Sequence, residues 1–214
     1  MSPPSAHRIF CIGKNYAAHV AELAHLGHAP AGELVVFMKP ASAIVPAGAP
    51  IPLPRGFGAV HHEAELVVSL GGFGDGGRDL AETEAVRYVK RITLGLDLTL
   101  RELQTQLKNK GAPWELAKAF DGAAPLGDWV DWHGGDLQAI HFTCRVNGEP
   151  RQRGDTSKML FPVARQIHIL SRTWKLIDGD VIFTGTPAGV GPLTPGDEIA
   201  LESELIGRYA WRCV

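Results

Sequence analysis

Three carboxylates in two apolar segments place the tightest constraint on how this chain can fold. Glu63 and Glu65 sit in Val60-His61-His62-Glu63-Ala64-Glu65-Leu66-Val67-Val68, and Asp97 sits in Ile92-Thr93-Leu94-Gly95-Leu96-Asp97-Leu98. Both runs are rich in apolar and β-branched residues and are predicted as strands. Alternate strand residues share a face, so Glu63 and Glu65 point the same way. Asp97 is flanked by leucines that belong in a core. Acids driven inward repel one another unless a cation neutralises them. An all-oxygen ligand set favours a hard ion, Mg²⁺ first, with Mn²⁺ or Ca²⁺ as alternatives. A lone Glu-x-Glu is ordinarily the wet face of an amphipathic strand, and a nearby Lys or Arg could itself neutralise Asp97. Residue types alone leave both readings open.

The chain of 214 residues suits one domain over 1–214 with a sizeable core, residues 1–8 forming a loose N-terminal segment. Its 25 glycines and 15 prolines are those of a turn-rich β protein. A net charge of −2 gives no electrostatic footprint for nucleic acid or an anionic membrane. No apolar run is long enough to span a bilayer, and residues 1–8 lack the pattern of a signal peptide. The expected location is cytoplasmic. Cys11, Cys144 and Cys213 are far apart and odd in number, so they read as buried thiols.

The pattern predicts an α+β, β-rich chain. Ile9 to Ile12 reads as a buried strand, and Asn15 as the cap of a helix over 16–24 carrying His19 and Glu22. Residues 25–33, with His25 and His28, read as a mobile loop. Leu34 to Met38 is apolar, and residues 41–58 read as extended irregular chain. A helix is expected over about 80–89. Thr99-Leu100-Arg101-Glu102 matches a capping box, with Leu100, Leu103 and Leu107 on one helical face and Gly111 as the stop. Asn147-Gly148 is a hairpin turn. Phe161 to Ser171 reads as a helix, and strands follow Asp180 and Asp197 and flank Ile206-Gly207.

A second constellation is Thr184-Gly185-Thr186-Pro187-Ala188-Gly189-Val190-Gly191, whose glycines let backbone approach a ligand and whose hydroxyls and N–H groups can bind oxygen. It is not a Walker loop, because no Gly-Lys-Ser/Thr follows; taken alone, a tight turn with satisfied threonines is the simpler reading. His19 and Glu22, three apart on a helix, can face each other as a general base pair, although such pairs are commonly surface contacts. His61 and His62 adjoin the acids, and one could hydrogen-bond to them. Lys118 is a cation in an apolar segment, either snorkelling or serving as an electrophile.

Together these segments resemble the fumarylacetoacetate hydrolase family, nearest to its short acylpyruvate-hydrolase branch. The matching stretches are Ile12-Gly13-Lys14-Asn15-Tyr16, Val36-Phe37-Met38-Lys39-Pro40, His62-Glu63-Ala64-Glu65-Leu66 and Thr93-Leu94-Gly95-Leu96-Asp97-Leu98-Thr99. They continue through Lys110-Gly111-Ala112-Pro113-Trp114, Ala117-Lys118-Ala119-Phe120-Asp121 and the Thr184–Gly191 turn. The likeness spans residue 9 to about 212. It implies a mixed β-sandwich roll with a few short helices, usually a homodimer. It implies that Glu63, Glu65 and Asp97 bind the metal, that His19 and Glu22 form a dyad on a lid, and that Lys118 is an active-site lysine. Arg101 and Gln104 match positions near the site, and Thr186, with Gly185 beside it, matches a substrate contact. Lys158 and the Ala- and His-rich residues 23–32 depart from the family pattern.

The implied activity is metal-dependent hydrolysis of a C–C bond in an acylpyruvate, a small 2,4-dioxo acid, giving pyruvate and a carboxylic acid. Glu22 would orient His19, His19 would take a proton from water, and Lys118 would stabilise the oxyanion. The alternative is decarboxylation or enol–keto isomerisation of oxaloacetate or a related 2-oxo acid, which needs no hydrolytic water. A weaker alternative is a non-catalytic metal and oxo-acid binding protein.

Overall fold

A computed structural model describes residues 8–22 and 34–214. The 25–33 loop with His25 and His28, most of the expected lid segment, and residues 1–7 lie outside the described residues. Arg8 was expected in a loose segment, but its guanidinium is fastened to Asp180, Nε at 2.9 Å from Oδ1 and Nη2 at 2.6 Å from Oδ2.

The frame is a mixed eight-stranded sheet. Its path runs through Val35–Lys39, Ile9–Gly13, Val181–Phe183, Ala64–Leu70, Val89–Leu96, Ala124–Leu126 and Ile44–Pro46, with Val130–Asp131 pairing beside Val89–Leu96. A four-stranded antiparallel sheet joins Glu149–Asp155, His141–Val146, Glu198–Ser203 and Gly207–Arg212. A small three-stranded sheet joins Gly191–Leu193, Val60–His62 and Thr99–Leu100. The Asn147-Gly148 hairpin forms as expected, with φ of 52° and 81°, the positive pair that a type I′ turn requires.

Every residue of Ala64–Leu70 is buried, which explains why its apolar run does not alternate. Leu66 and Val68 join the large core with Phe10, Leu94 and Ile167, while Val67 packs on the other face with Cys11, Val181 and Phe183. Gly95 lies against that second face. A Cβ there would come within 2.8 Å of Phe183 and 2.9 Å of Val67, so no larger residue fits without displacement.

The helices are short: α1 (Ala17–Glu22), α2 (Glu82–Ala85), α3 (Arg101–Asn109), α4 (Glu115–Lys118) and α5 (Val163–Thr173). Three expectations change. The helix over 80–89 shrinks to α2 and a 3₁₀ turn, because Val89 pairs with Leu70 and Tyr88 stacks on Phe73 at 4.6 Å. Asn15 does not cap α1; its side chain bridges the chain to Phe161 and Thr184. Thr99 makes no capping box, since its backbone pairs with His61 and its hydroxyl donates to the Asp97 carbonyl. The three cysteines are free and buried. Among the described residues no helix is long and apolar enough to cross a membrane.

Candidate active site around a buried acid cluster

The acids are brought together by strand register. Ala64 pairs with Leu96 and Glu65 with Gly95, so the antiparallel ladder carries Glu63 opposite Asp97, and the Asp97 N–H donates to the Glu63 carbonyl at 2.8 Å. Glu63 does not lie in one continuous strand with Glu65, as the sequence suggests. It sits at the break between Val60–His62 and Ala64–Leu70, where the chain passes from the small sheet to the large one. One carboxylate oxygen from each of Glu63, Glu65 and Asp97 lies within 4.8 Å of the others, and all three residues are buried.

Like charges directly opposite on paired strands are destabilising, and three buried cations answer them. Lys118, at the end of α4, places Nζ 2.7 Å from Glu63 Oε2 and 2.8 Å from Asp97 Oδ2. Arg101, opening α3, bonds Glu63 Oε1 through Nη2 and Gln104 Oε1 through Nη1 at 2.9 Å. Lys39, closing the strand Val35–Lys39, lies 2.8 Å from Asp97 Oδ1 but out of line for a hydrogen bond, so that oxygen has no hydrogen-bond partner. The Lys39 ammonium instead donates to the carbonyls of Leu98 and Lys118.

The compensation is uneven. Burial would raise the Glu63 carboxyl, but Lys118 and Arg101 reverse this and hold it well below the usual range. Glu65 is pushed well above that range, by burial first and then by Asp97 and Glu63, against which the Gly185 N–H at 2.6 Å is the main relief. Burial would lower Lys118, yet Asp97 and Glu63 raise it, so it stays charged. An all-oxygen donor set, one carboxylate oxygen without a hydrogen bond and one carboxylate strained by its neighbours fit a divalent cation.

The second group approaches from α1. His19 Nδ1 lies 3.3 Å from Glu22 Oε2, and both Glu22 oxygens accept from the Gly189 N–H, at 3.0 and 3.2 Å. Burial raises Glu22, but the bonds from His19 and Gly189 bring it below its ordinary value. With Nδ1 held by Glu22, Nε2 is the nitrogen left for proton transfer.

The Thr184–Gly191 turn serves the protein's own acids. Gly185, expected at the substrate, gives its N–H to Glu65, and at φ 104° a Cβ there would meet Asn15 at 2.5 Å. Thr186 reaches the cavity wall, but its hydroxyl donates to the Ala64 carbonyl at 2.9 Å and accepts from Gln152 Nε2 at 2.8 Å. His62 bonds Gln152 Oε1 at 2.9 Å rather than an acid. His61 Nδ1 is buried without a hydrogen-bond partner, and burial, then Arg101, lower its pKa to about 4.

His19, Glu63, Glu65, Arg101, Gln104, Lys118 and Thr186 thus line one cavity, while Asp97 stands behind it. The open space there is about 30 Å³. Sequence reasoning missed Lys39, Lys108, Trp114 and Gln152. Lys39 had a signal, a lysine closing an apolar strand. Lys108 had another, being seven residues beyond Arg101 on the same helical face.

Residues 8–214 match the family model described as fumarylacetoacetate (FAA) hydrolase C-terminal. The chain is 40% identical over 196 residues to oxaloacetate tautomerase YcgM of Escherichia coli, covering 91% of this chain and 87% of that one. It is 41% identical over 192 residues to human mitochondrial oxaloacetate tautomerase FAHD1, covering 89% and 84%. Among solved structures, fumarylpyruvate hydrolase from Pseudomonas aeruginosa in complex with Mn²⁺ and pyruvate superposes with a TM-score of 0.89 at 36% identity, covering 97% of this chain and 89% of that one.

Proposed function

Since the chain belongs to the fumarylacetoacetate hydrolase family, we propose that it is a divalent-metal-dependent enzyme interconverting the enol and keto forms of oxaloacetate or a related 2-oxo acid. The observation that carries this reading is the likeness to oxaloacetate tautomerases along about nine tenths of the chain.

Glu63, Glu65 and Asp97 would hold the cation. A divalent ion there supplies Lewis acidity, which lowers the cost of negative charge on a 2-oxo oxygen. Gln104 Nε2, which makes no hydrogen bond among the described residues, and the Arg101 guanidinium bind and orient the carboxylate next to the keto group. His19 Nε2 moves a proton between C3 and the C2 oxygen, which are carried by adjacent carbons. One proton is transferred, no water is consumed and no bond between heavy atoms breaks. Glu22 holds the imidazole in register and stabilises its protonated form. Lys118, kept charged by Asp97 and Glu63, faces the enolate charge as an electrostatic partner. The Glu22–Gly189 bond keeps α1 against the turn while the proton moves, excluding bulk water.

Acylpyruvate hydrolysis is the second reading, favoured by the structural likeness to fumarylpyruvate hydrolase. The test follows enol-oxaloacetate decay by ultraviolet absorbance and acetylpyruvate cleavage by pyruvate release, each with Mg²⁺ and after chelation. Metal-dependent acceleration of the first well above the second is expected. Fast acetylpyruvate cleavage with oxaloacetate tautomerisation at the uncatalysed rate would overturn the proposal in favour of hydrolysis.

A further inference from the structure

A second and larger cavity, about 690 Å³, lies between α1, the Thr184–Gly191 turn and the strand Glu149–Asp155. That volume is the ordinary size of a small-molecule site, about 300–1,000 Å³. Ala17 and Ala18 line it, whereas His19 and Val20 line the cavity at the acid cluster. At about 100° per residue these two pairs stand on opposite faces of α1. The second cavity is therefore separate from the proposed tautomerisation site, with one helix shared between them.

Its wall is basic in a chain whose net charge is −2. Arg151 and Arg153 are two apart on their strand, so they share the face opposite Gln152. Both are exposed, and among the described residues neither guanidinium has an ion pair or a hydrogen bond. Asp197, which Arg151 influences through space, is bonded instead by Asn147 and Thr194. Lys158 adds a third cation, 3.4 Å from Asp155, the one acid of the wall. Asp155 Oδ1 is taken up by Ser157, through its N–H at 3.1 Å and its hydroxyl at 2.6 Å. Three cations against one acid leave +2. The rest of the wall is largely apolar, with Ala17, Ala18, Pro150 and Pro187. Tyr16 also belongs to it, and its buried hydroxyl has no hydrogen-bond partner.

We propose that this cavity binds a small phosphate ester, with Arg151, Arg153 and Lys158 on the phosphoryl oxygens and the organic body on Ala18 and Pro187, and that the bound ester braces α1 against the turn. A phosphate monoester carries about −1.5 to −2 at neutral pH, which matches the wall, whereas a singly charged anion leaves about one positive charge unanswered. Two guanidinium forks suit tetrahedral oxygens that accept in pairs. The bracing follows from the packing. A Cβ on Gly189 would collide with the Arg151 carbonyl, so the turn and the arginine strand meet backbone to backbone. The same Gly189 gives its N–H to Glu22 of α1. An occupant touching Arg151, Pro187 and Ala18 thus spans the three pieces that hold the His19–Glu22 pair in place.

The experiment is calorimetry on the Mg²⁺-loaded protein saturated with oxalate, which occupies the metal and leaves the second cavity to the probe. The probes are phenyl phosphate, phenyl sulfate with the same shape and one charge fewer, and inorganic phosphate without the ring. Phenyl phosphate should bind as a single molecule per chain, and added salt should weaken it. Phenyl sulfate should bind about 10-fold more weakly, and inorganic phosphate should lose the contribution of the apolar wall. Arg151→Gln/Arg153→Gln should weaken phenyl phosphate about 10–100-fold, the worth of a hydrogen bond to a charged group. Unchanged oxalate binding in that variant reports an intact fold. Hydrogen exchange should show added protection at 17–22 and 187–191 when phenyl phosphate is bound.

Equal affinity for phenyl phosphate and phenyl sulfate, a comparison that needs no variant, would reduce the cavity to non-specific attraction and overturn the proposal. So would equal binding of phenyl phosphate to wild type and the double variant. Binding that disappears in saturating oxalate would assign the ester to the metal and overturn it as well. Protection gained elsewhere, with none at α1 and the turn, would do the same. None of these readouts measures turnover, so the ester site stands or falls separately from the tautomerase reading.

Discussion

Replacing Lys118 by Met tests whether the site is an ion cluster with an interchangeable cation. The ammonium is 2.7 Å from Glu63 and 2.8 Å from Asp97, and both side chains are almost wholly buried. At an effective dielectric of about 20, each contact carries roughly 6 kcal/mol of gross attraction. Desolvation of the lysine offsets much of that, and removing one partner of a buried pair costs about 3–5 kcal/mol net. For a chain of this size, 1 kcal/mol moves Tm by about 2–4 °C, so Tm in chelator should fall by about 6–20 °C. Mg²⁺ should then stabilise the variant more than the wild type, because the ion no longer competes with a resident ammonium. At about 100 times its Kd the ion contributes about 2.7 kcal/mol, enough to recover much of the loss. Thermal unfolding with chelator and with Mg²⁺ reads both effects. A fall of less than about 2 °C in chelator would refute the reasoning, as would equal Mg²⁺ stabilisation of the two proteins.

Three further outcomes are expected. His19→Ala should lower tautomerisation about 10²–10⁴-fold, the usual worth of a positioned general base, while calorimetric Mg²⁺ binding stays unchanged; loss of metal binding would move His19 out of that role. Glu65 has a folded pKa raised above its unfolded value near 4.3, so without metal its ionisation destabilises the fold increasingly as pH rises through that window. Glu65→Gln in chelator should therefore be more stable than wild type at neutral pH, with the gap closing below about pH 4 and reversing in Mg²⁺; denaturant titrations at several pH values check the sign. Gly95→Ala should cost about 1–3 kcal/mol by overpacking against Phe183 and Val67, read as a lower denaturation midpoint.

The acid cluster was legible because carboxylates in apolar strands violate the ordinary burial pattern, and the hairpin because Asn147-Gly148 suits few other conformations. The lysine and the dyad became legible through the family likeness. What escaped depended on contacts between distant segments. Nothing near Thr99 signals that its backbone belongs to a strand pair with His61, so its capping-box pattern misleads. Asn15 likewise looks like a cap until Phe161 and Thr184, far along the chain, claim its side chain. Alternation puts Glu63 and Glu65 on one face of a single strand. It cannot show that the strand breaks at Glu63 to change sheets.

Gln152 gives the four-stranded sheet an unexpected part in the site. Its amide oxygen accepts from His62 and the Ala64 N–H, and its nitrogen donates to Thr186 and the Pro187 carbonyl. One side chain thus ties the hairpin to two other stretches of chain, 62–64 and 186–187. Its neighbours Arg151 and Arg153 lie on the opposite face of the strand. A slip of the hairpin by one residue would withdraw the amide and drive a guanidinium toward the acid strand. The irregularity between Cys144 and Arg145 lies directly across from this point and helps set the alignment. Competence of the acid cluster is therefore conditional on correct threading of a hairpin that never touches it. Metal affinity in this protein becomes an assay of whether two sheets, distant in sequence, have closed in the right register.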